Sequence, residues 1–145
     1  MDKTIEYYNQ NANIFAQGTR LVDFSVMQER FANVVPAGSR ILDFGCGSGR
    51  DTKYFLEKGY RVEATDGSVE LCRLASAFTG IEVKEMRFQA LDASDKYEGI
   101  WACSSILHLP KKELLPVIRK MCIALKDNGV IYTSFKYGDF EGERN

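Results

Sequence analysis

The chain has 145 residues, 45% hydrophobic and 27% charged, with a net charge of −1, which is the size and composition of one globular domain with a sizeable core. The near-neutral balance leaves no electrostatic footprint for nucleic acid or an anionic membrane surface, no apolar run approaches the roughly 20 residues of a membrane span, and "MDKTIEYYNQ" lacks the charged-then-apolar layout of a secretory leader. Four cysteines at 46, 72, 103 and 122 form no CxxC pair and His108 is the only histidine, so no metal site is expected, and Cys72, Cys103 and Cys122 read as buried thiols in a reduced, cytoplasmic setting.

Two helical stretches come first, at about 4–16 and 20–35, carrying Tyr7, Tyr8, Ile14 and Phe15, then Leu21, Phe24, Met27 and Phe31. Pro36–Gly38 ends them. "SRILDF" (39–44) is a short apolar run suited to a strand buried on both faces. "GRDTKYFLEKG" (49–59) is helical and stops at Gly59. "YRVEATD" (60–66) is a second strand, and "GSVELCRLASAFTG" (67–80) a helix capped by Ser68 and ended by Gly80. "IEVKEMRF" (81–88) and "YEGIWACSS" (97–105) read as strands three and four, with Trp101 in the core. "PKKELLPVIRKMCIALKDNG" (110–129) has Leu114, Ile118, Met121, Cys122 and Leu125 at helical spacing, with Asn128–Gly129 as its stop. Pro116 implies a later start, near 115, or a kink. "GVIYTSFKY" (129–137) is strand five.

Strands alternating with helices imply right-handed crossovers and a parallel sheet. The expected fold is a Rossmann-like, doubly wound α/β domain: a helical cap over 1–36, then a mostly parallel sheet of about five strands over 37–145. The fifth strand then stands at a possible sheet edge. An apolar edge is a pairing liability. Something covers it, the chain is a piece of a longer one, or it pairs with a second copy as a homodimer.

The chemistry concentrates in "RILDFGCGSGRD" (40–51). In an open parallel sheet, ligands bind beyond the carboxyl ends of the strands at the switch point. Glycines there let the backbone approach a ligand and adopt positive φ. Gly45, Gly47 and Gly49 follow G-x-G-x-G. A dinucleotide fingerprint, G-x-G-x-x-G, wants a glycine at position 50, where the chain has Arg50. Asp43 before the loop would repel a pyrophosphate and favour a cationic ligand. Asp66, 23 residues further on at the end of the second strand, offers two acceptor oxygens to the hydroxyls of a ribose. The site therefore suits a nucleoside with a positively charged far end, and disfavours a nicotinamide-dependent oxidoreductase.

"ILDFGCGSGRD" followed by "VEATDGS" resembles motifs one and two of class I S-adenosylmethionine-dependent methyltransferases, and "GIWACSSILHLP" resembles their fourth-strand motif. The layout is similar to small bacterial enzymes of the tellurite-resistance or general small-molecule type, which also begin with a "YYNxNA"-like helix. The resemblance covers nearly the whole chain. It implies S-adenosyl-L-methionine as cofactor, a small-molecule methyl acceptor, and neither a nucleic-acid nor a membrane partner. It implies that Gly45, Cys46 and Gly47 pass under the methionine part and that Asp43 steadies the loop and the amino end. Asp66 takes the ribose, with Gly67 and Ser68 beside the adenosine. The backbone around Cys103 accepts from the α-amino group, and Arg20 or Tyr8 meets the carboxylate.

In one respect the chain departs from the family. Where the family often has an acidic partner for adenine, this chain has Arg87, so the adenine is expected near Met86, Arg87 and Phe88. The last two strands of the usual seven-stranded sheet are absent from the sequence. The alternative is a cofactor-binding fragment or module without catalysis.

His108 is the candidate general base; otherwise it lines the pocket or caps the next helix. Tyr7 and Tyr8 either cover the cofactor or only pack. Arg50 either meets an anionic group or is solvated, and Lys111–Lys112 reads as a solvated face.

Overall fold

The computed structural model describes residues 3–13 and 24–134. In chain order the elements are α1 (Lys3–Gln10), α2 (Ser25–Val34), β1 (Arg40–Phe44), α3 (Arg50–Glu57), β2 (Arg61–Asp66), α4 (Val69–Thr79) and β3 (Lys84–Glu85). A 3₁₀ turn at Phe88–Ala90, β4 (Tyr97–Ala102), a second 3₁₀ turn at Ile106–His108, α5 (Lys111–Ala124) and β5 (Leu125–Thr133) complete them. The strands form a five-stranded parallel sheet in the order β3-β2-β1-β4-β5. This is the expected Rossmann-like α/β architecture. The chain winds outward from β1 to β3, then crosses back to build β4 and β5, so the winding reverses between β1 and β4.

Successive strand residues face opposite sides of a sheet, and β1 shows what that does here. Ile41 packs with Phe31 of α2, Phe55 of α3 and Trp101 of β4. Its neighbour Leu42 packs with Phe44, Ile100 and, from α5, Val117 and Met121. Both faces are thus covered, which is why Ile41 to Phe44 form an apolar run broken only by Asp43. Helix α2 reaches the sheet at Gly99, where a Cβ would stand 2.8 Å from Phe31 Cζ and 3.2 Å from Val35 Cγ2. The glycine in β4 therefore lets α2 approach the sheet closely at this point.

The local stop signals operate as expected. Ser68 Oγ accepts from Leu71 N, and Gly80 ends α4 at φ +84. Gly59, at φ +93, follows Lys58, the C-cap of α3. Lys111 and Lys112 are exposed. Trp101 is fully buried.

Four expectations are corrected. The third strand shrinks from 81–88 to Lys84–Glu85, because after Met86 N bonds Asp66 O the chain turns inward and seats Phe88 edge-on against Phe44 at 4.8 Å. The last helix ends at Ala124, not at 129: Asp95 N and Lys96 N take the carbonyls of Ile123 and Ala124, and Leu125 already pairs with Tyr97. Residues between Leu125 and Val130 bulge out, with Asn128 at φ +66. Helix α5 also starts at Lys111 rather than near 115 and includes Pro116, whose missing N–H falls on an exposed turn. Finally, Cys122 is exposed and Cys103 only half-buried. Met121 takes the core position, which turns the next residue of the helix outward.

Candidate active site

The loop after β1 is shaped by its own crowding. Gly45 N and Cys46 N both donate to Thr65 O at 2.9 Å, tying the loop to β2. Gly45, Gly47 and Gly49 have φ of +81, +57 and +90, a region that costs any other residue energy. A Cβ on Gly45 would come within 2.6 Å of Ser105 Cβ and 2.9 Å of the Phe88 ring. One on Gly49 would meet Thr79 Cγ2 at 2.8 Å. The third glycine thus lets α4 pack against the start of α3.

Asp66 closes the loop from the side of β2. Its Oδ1 accepts from Gly47 N and its Oδ2 from Ser68 N, each at 3.0 Å. Burial raises its pKa, and the two N–H donors oppose the rise. Each oxygen keeps acceptor capacity beyond its one bond. Asp43 is 2% exposed and accepts from Thr52 Oγ1 at 2.6 Å. Burial pushes its pKa well above the usual carboxylate range, the Asp51 charge adds to that, and Thr52 and Arg50 pull the other way. Asp43 thus ties β1 to the first turn of α3.

Two clefts of about 470 and 210 Å³ lie elsewhere, beside α2 and α3, lined in part by Glu29, Tyr54 and Lys58 and by Phe24, Gln28 and Lys53. Neither contains the paired carboxylate and bare backbone of the loop, so the chemistry, not the hollow, marks the site.

Helix α1 lies across the turn after β2. Ile5 sits over Gly67, where a Cβ would come 3.0 Å from Ile5 Cδ1. Tyr8, half-buried, has its hydroxyl 3.5 Å from His108 Nε2 across the end of the sheet. Burial raises the Tyr8 pKa, with the Asp66 and Tyr7 charges adding to it. Tyr7 is 59% exposed and meets Tyr8 edge-on. His108 is itself exposed, in the turn after β4. Pro110, not His108, holds the N-cap of α5. Met86 and Phe88 are half-buried beside the end of β3, and Arg87 between them is exposed. Arg20 lies outside the described residues.

A family model described as "Methyltransferase domain" matches residues 41–129, more than half of the chain. The chain belongs to the methyltransferase domain family. It is 30% identical over 105 residues to the methyltransferase GfsG of Streptomyces halstedii, covering 66% of this chain and 37% of that protein. It is 30% identical over 111 residues to the ubiquinone biosynthesis O-methyltransferase of Xanthomonas axonopodis pv. citri, covering 71% and 45%. The chain therefore spans less than half the length of either relative. Its fold matches a TehB-like SAM-dependent methyltransferase structure from Corynebacterium glutamicum with a TM-score of 0.73 at 23% identity, covering 94% of this chain and 74% of that one.

Within this methyltransferase domain, three features escaped the sequence reading. Asp51 is one. Its Oδ1 accepts from Gln28 Nε2 at 2.6 Å and Arg50 Nε at 2.9 Å, and its Oδ2 from Trp101 Nε1 at 2.8 Å and an Arg50 amine at 2.9 Å. One buried carboxylate thus joins α2, α3 and β4. It also settles Arg50, which is paired rather than solvated and stacks on Phe24 at 4.8 Å.

The hydrogen bonds of the turn after β4 are the second. Ser104 sits at φ +52, its N–H given to Ser134 Oγ at 2.7 Å. Arg50 donates to Cys103 Sγ at 3.7 Å. Burial lifts the Cys103 thiol, and the Asp51 charge adds to it. The third is Asn9, which docks α1 on α4. The "DT" after Arg50 and the asparagine after "YY" were visible as residues, but nothing local marks their partners. Among the described residues, no helix is long and apolar enough to cross a membrane.

Proposed function

We propose that this chain binds S-adenosyl-L-methionine across the carboxyl ends of β1, β2 and β4 and transfers its methyl group to a small-molecule acceptor. The observation that carries the reading is the Asp66 carboxylate, which bonds Gly47 N in the glycine loop and Ser68 N on its own side. The residues fit such a ligand. Asp43 and Asp66 both face or underlie the loop, and Arg50, the cation beside it, is already neutralised by Asp51. With that guanidinium already paired, the loop offers a pyrophosphate no unpaired Arg50 charge.

In this reading Asp66 takes the ribose hydroxyls, and Gly67 and Ser68 flank the nucleoside. Gly45, Cys46 and Gly47 run under the methionine part, and Asp43 acts through Thr52 by holding the loop to α3. Met86, Arg87 and Phe88 border the adenine. The Cys103 backbone accepts from the α-amino group, and Tyr8 or Arg20 meets the carboxylate. The bound cofactor supplies an electrophilic methyl group, and the protein supplies binding and orientation. His108 Nε2, beside Tyr8, receives the acceptor's proton when the acceptor carries one.

The test is calorimetry with S-adenosylmethionine and S-adenosylhomocysteine, followed by a release assay for the latter over small amines, thiols, hydroxyl compounds, carboxylates and metalloid anions. Absence of binding to either ligand sinks the reading. Binding without turnover on any acceptor favours the second reading, a cofactor-binding module, which the short span relative to the curated relatives supports.

A further inference from the structure

Helix α1 has only eight residues and none of them is buried. A helix so short is marginal on its own, so its place is decided by what it touches. Asn9 supplies a polar tie to α4. The amide oxygen accepts from Ser68 Oγ at 2.5 Å and from Glu70 N at 3.2 Å. Both contacts need an acceptor, which fixes the orientation of the amide. Ser68 Oγ in turn accepts from Leu71 N at 3.2 Å. The first turn of any helix has N–H groups with no partner inside it. In α4, Ser68 serves one of them and Asn9, from a distant helix, serves another. Ile5 over Gly67 and Tyr8 beside His108 extend α1 on either side of this tie.

We propose that Asn9 is a positioning residue for the cofactor: its amide oxygen pins α1 over the Asp66–Ser68 turn, so that the helix covers the nucleoside side of the site and must lift for the ligand to leave. This rests on the reading of Asp66 as the ribose acceptor. Two hydrogen bonds of ordinary net strength favour the docked helix by about ten- to a hundredfold. The helix is then mostly closed yet opens readily. The same tie orders Ser68, whose N–H holds Asp66 Oδ2, so docking α1 and orienting the carboxylate are coupled.

The experiment compares the intact chain with Asn9→Ala and Asn9→Asp, measuring S-adenosylhomocysteine association and dissociation rates, hydrogen exchange of α1 with and without that ligand, and the unfolding midpoint. Asn9→Ala is expected to speed dissociation about tenfold, corresponding to loss of one to two hydrogen bonds, and to abolish ligand-induced protection of α1. Asn9→Asp keeps the acceptor and ranks with asparagine at helix N-termini, so it stays within about threefold of the parent. An unchanged dissociation rate in Asn9→Ala overturns the proposal, even if the midpoint falls, since that pattern is a structural tie alone. Equal rates for the Ala and Asp variants overturn it too. If the parent chain binds no S-adenosylhomocysteine, the cofactor reading fails first and the proposal falls with it.

Discussion

Replacing Gly45 with alanine separates two costs that a glycine loop usually confounds. The position has φ +81, and the added Cβ would stand 2.6 Å from Ser105 Cβ and 2.9 Å from two atoms of the Phe88 ring. The left-handed backbone alone costs an L-residue about 1–2 kcal/mol. Ser105 is 6% exposed and Phe88 is wedged on Phe44, so neither can step aside freely. Overpacking of that kind adds about 1–3 kcal/mol, giving roughly 2–5 kcal/mol in all. Gly38 provides the control, because it has nearly the same φ, +79, and nothing within 4 Å of its Cβ position. Gly38→Ala should therefore cost only the backbone share, about 1–2 kcal/mol. Urea unfolding of both variants at one pH measures the difference directly. Equal losses at the two positions would refute the steric argument and leave Gly45 as a residue needed only for its backbone or its ligand.

Asp66→Ala should weaken cofactor binding by at least about 1–3 kcal/mol through lost hydrogen bonds to the carboxylate; calorimetry reading an unchanged affinity rules out the ribose assignment. Asp51→Ala leaves the buried Gln28 and Trp101 N–H and the half-buried Arg50 without their carboxylate and should cost about 3–5 kcal/mol of stability. A loss below about 1 kcal/mol, the worth of one ordinary hydrogen bond, would mean that the hub is not the joint between α2 and β4. For Asp43 the native pKa is raised above its ordinary 3.8. The native state then binds more protons than the unfolded one, so this group's stabilising contribution is full below 3.8 and is lost as pH rises through the raised value. Relative to Asp43→Asn, the parent should lose stability as pH rises from 3.8 upward. A constant difference in urea midpoint across that range contradicts the burial argument.

Residues whose partners lie close in the chain were legible beforehand. Ser68 caps α4 through Leu71, three positions on, and Gly80 ends it with a left-handed turn. The apolar run of β1, the loop glycines and the carboxylate at the end of β2 are local patterns too, and from them the parallel sheet, its switch point and the candidate ribose acceptor could be placed. The end of the last helix could not. "ALKDNG" offers a good stop at Asn128–Gly129, but the pairing of Leu125 with Tyr97 and the donation of Asp95 N to Ile123 O pull the chain into the sheet five residues earlier. Local propensity is worth tenths of a kcal/mol per residue and yields to a strand ladder.

The α/β alternation and the chemistry of the loop are written in short stretches of residues, because helix period, strand period and turn residues act over a few positions. Packing in three dimensions is what joins Gln28 to Trp101 through Asp51, admits Phe31 at Gly99 and brings Asn9 to the first turn of α4. Those partners stand 23 to 68 positions apart, and a single chain carries no local mark of which distant group will satisfy a buried donor. What compels the match is the cost of leaving that donor without one.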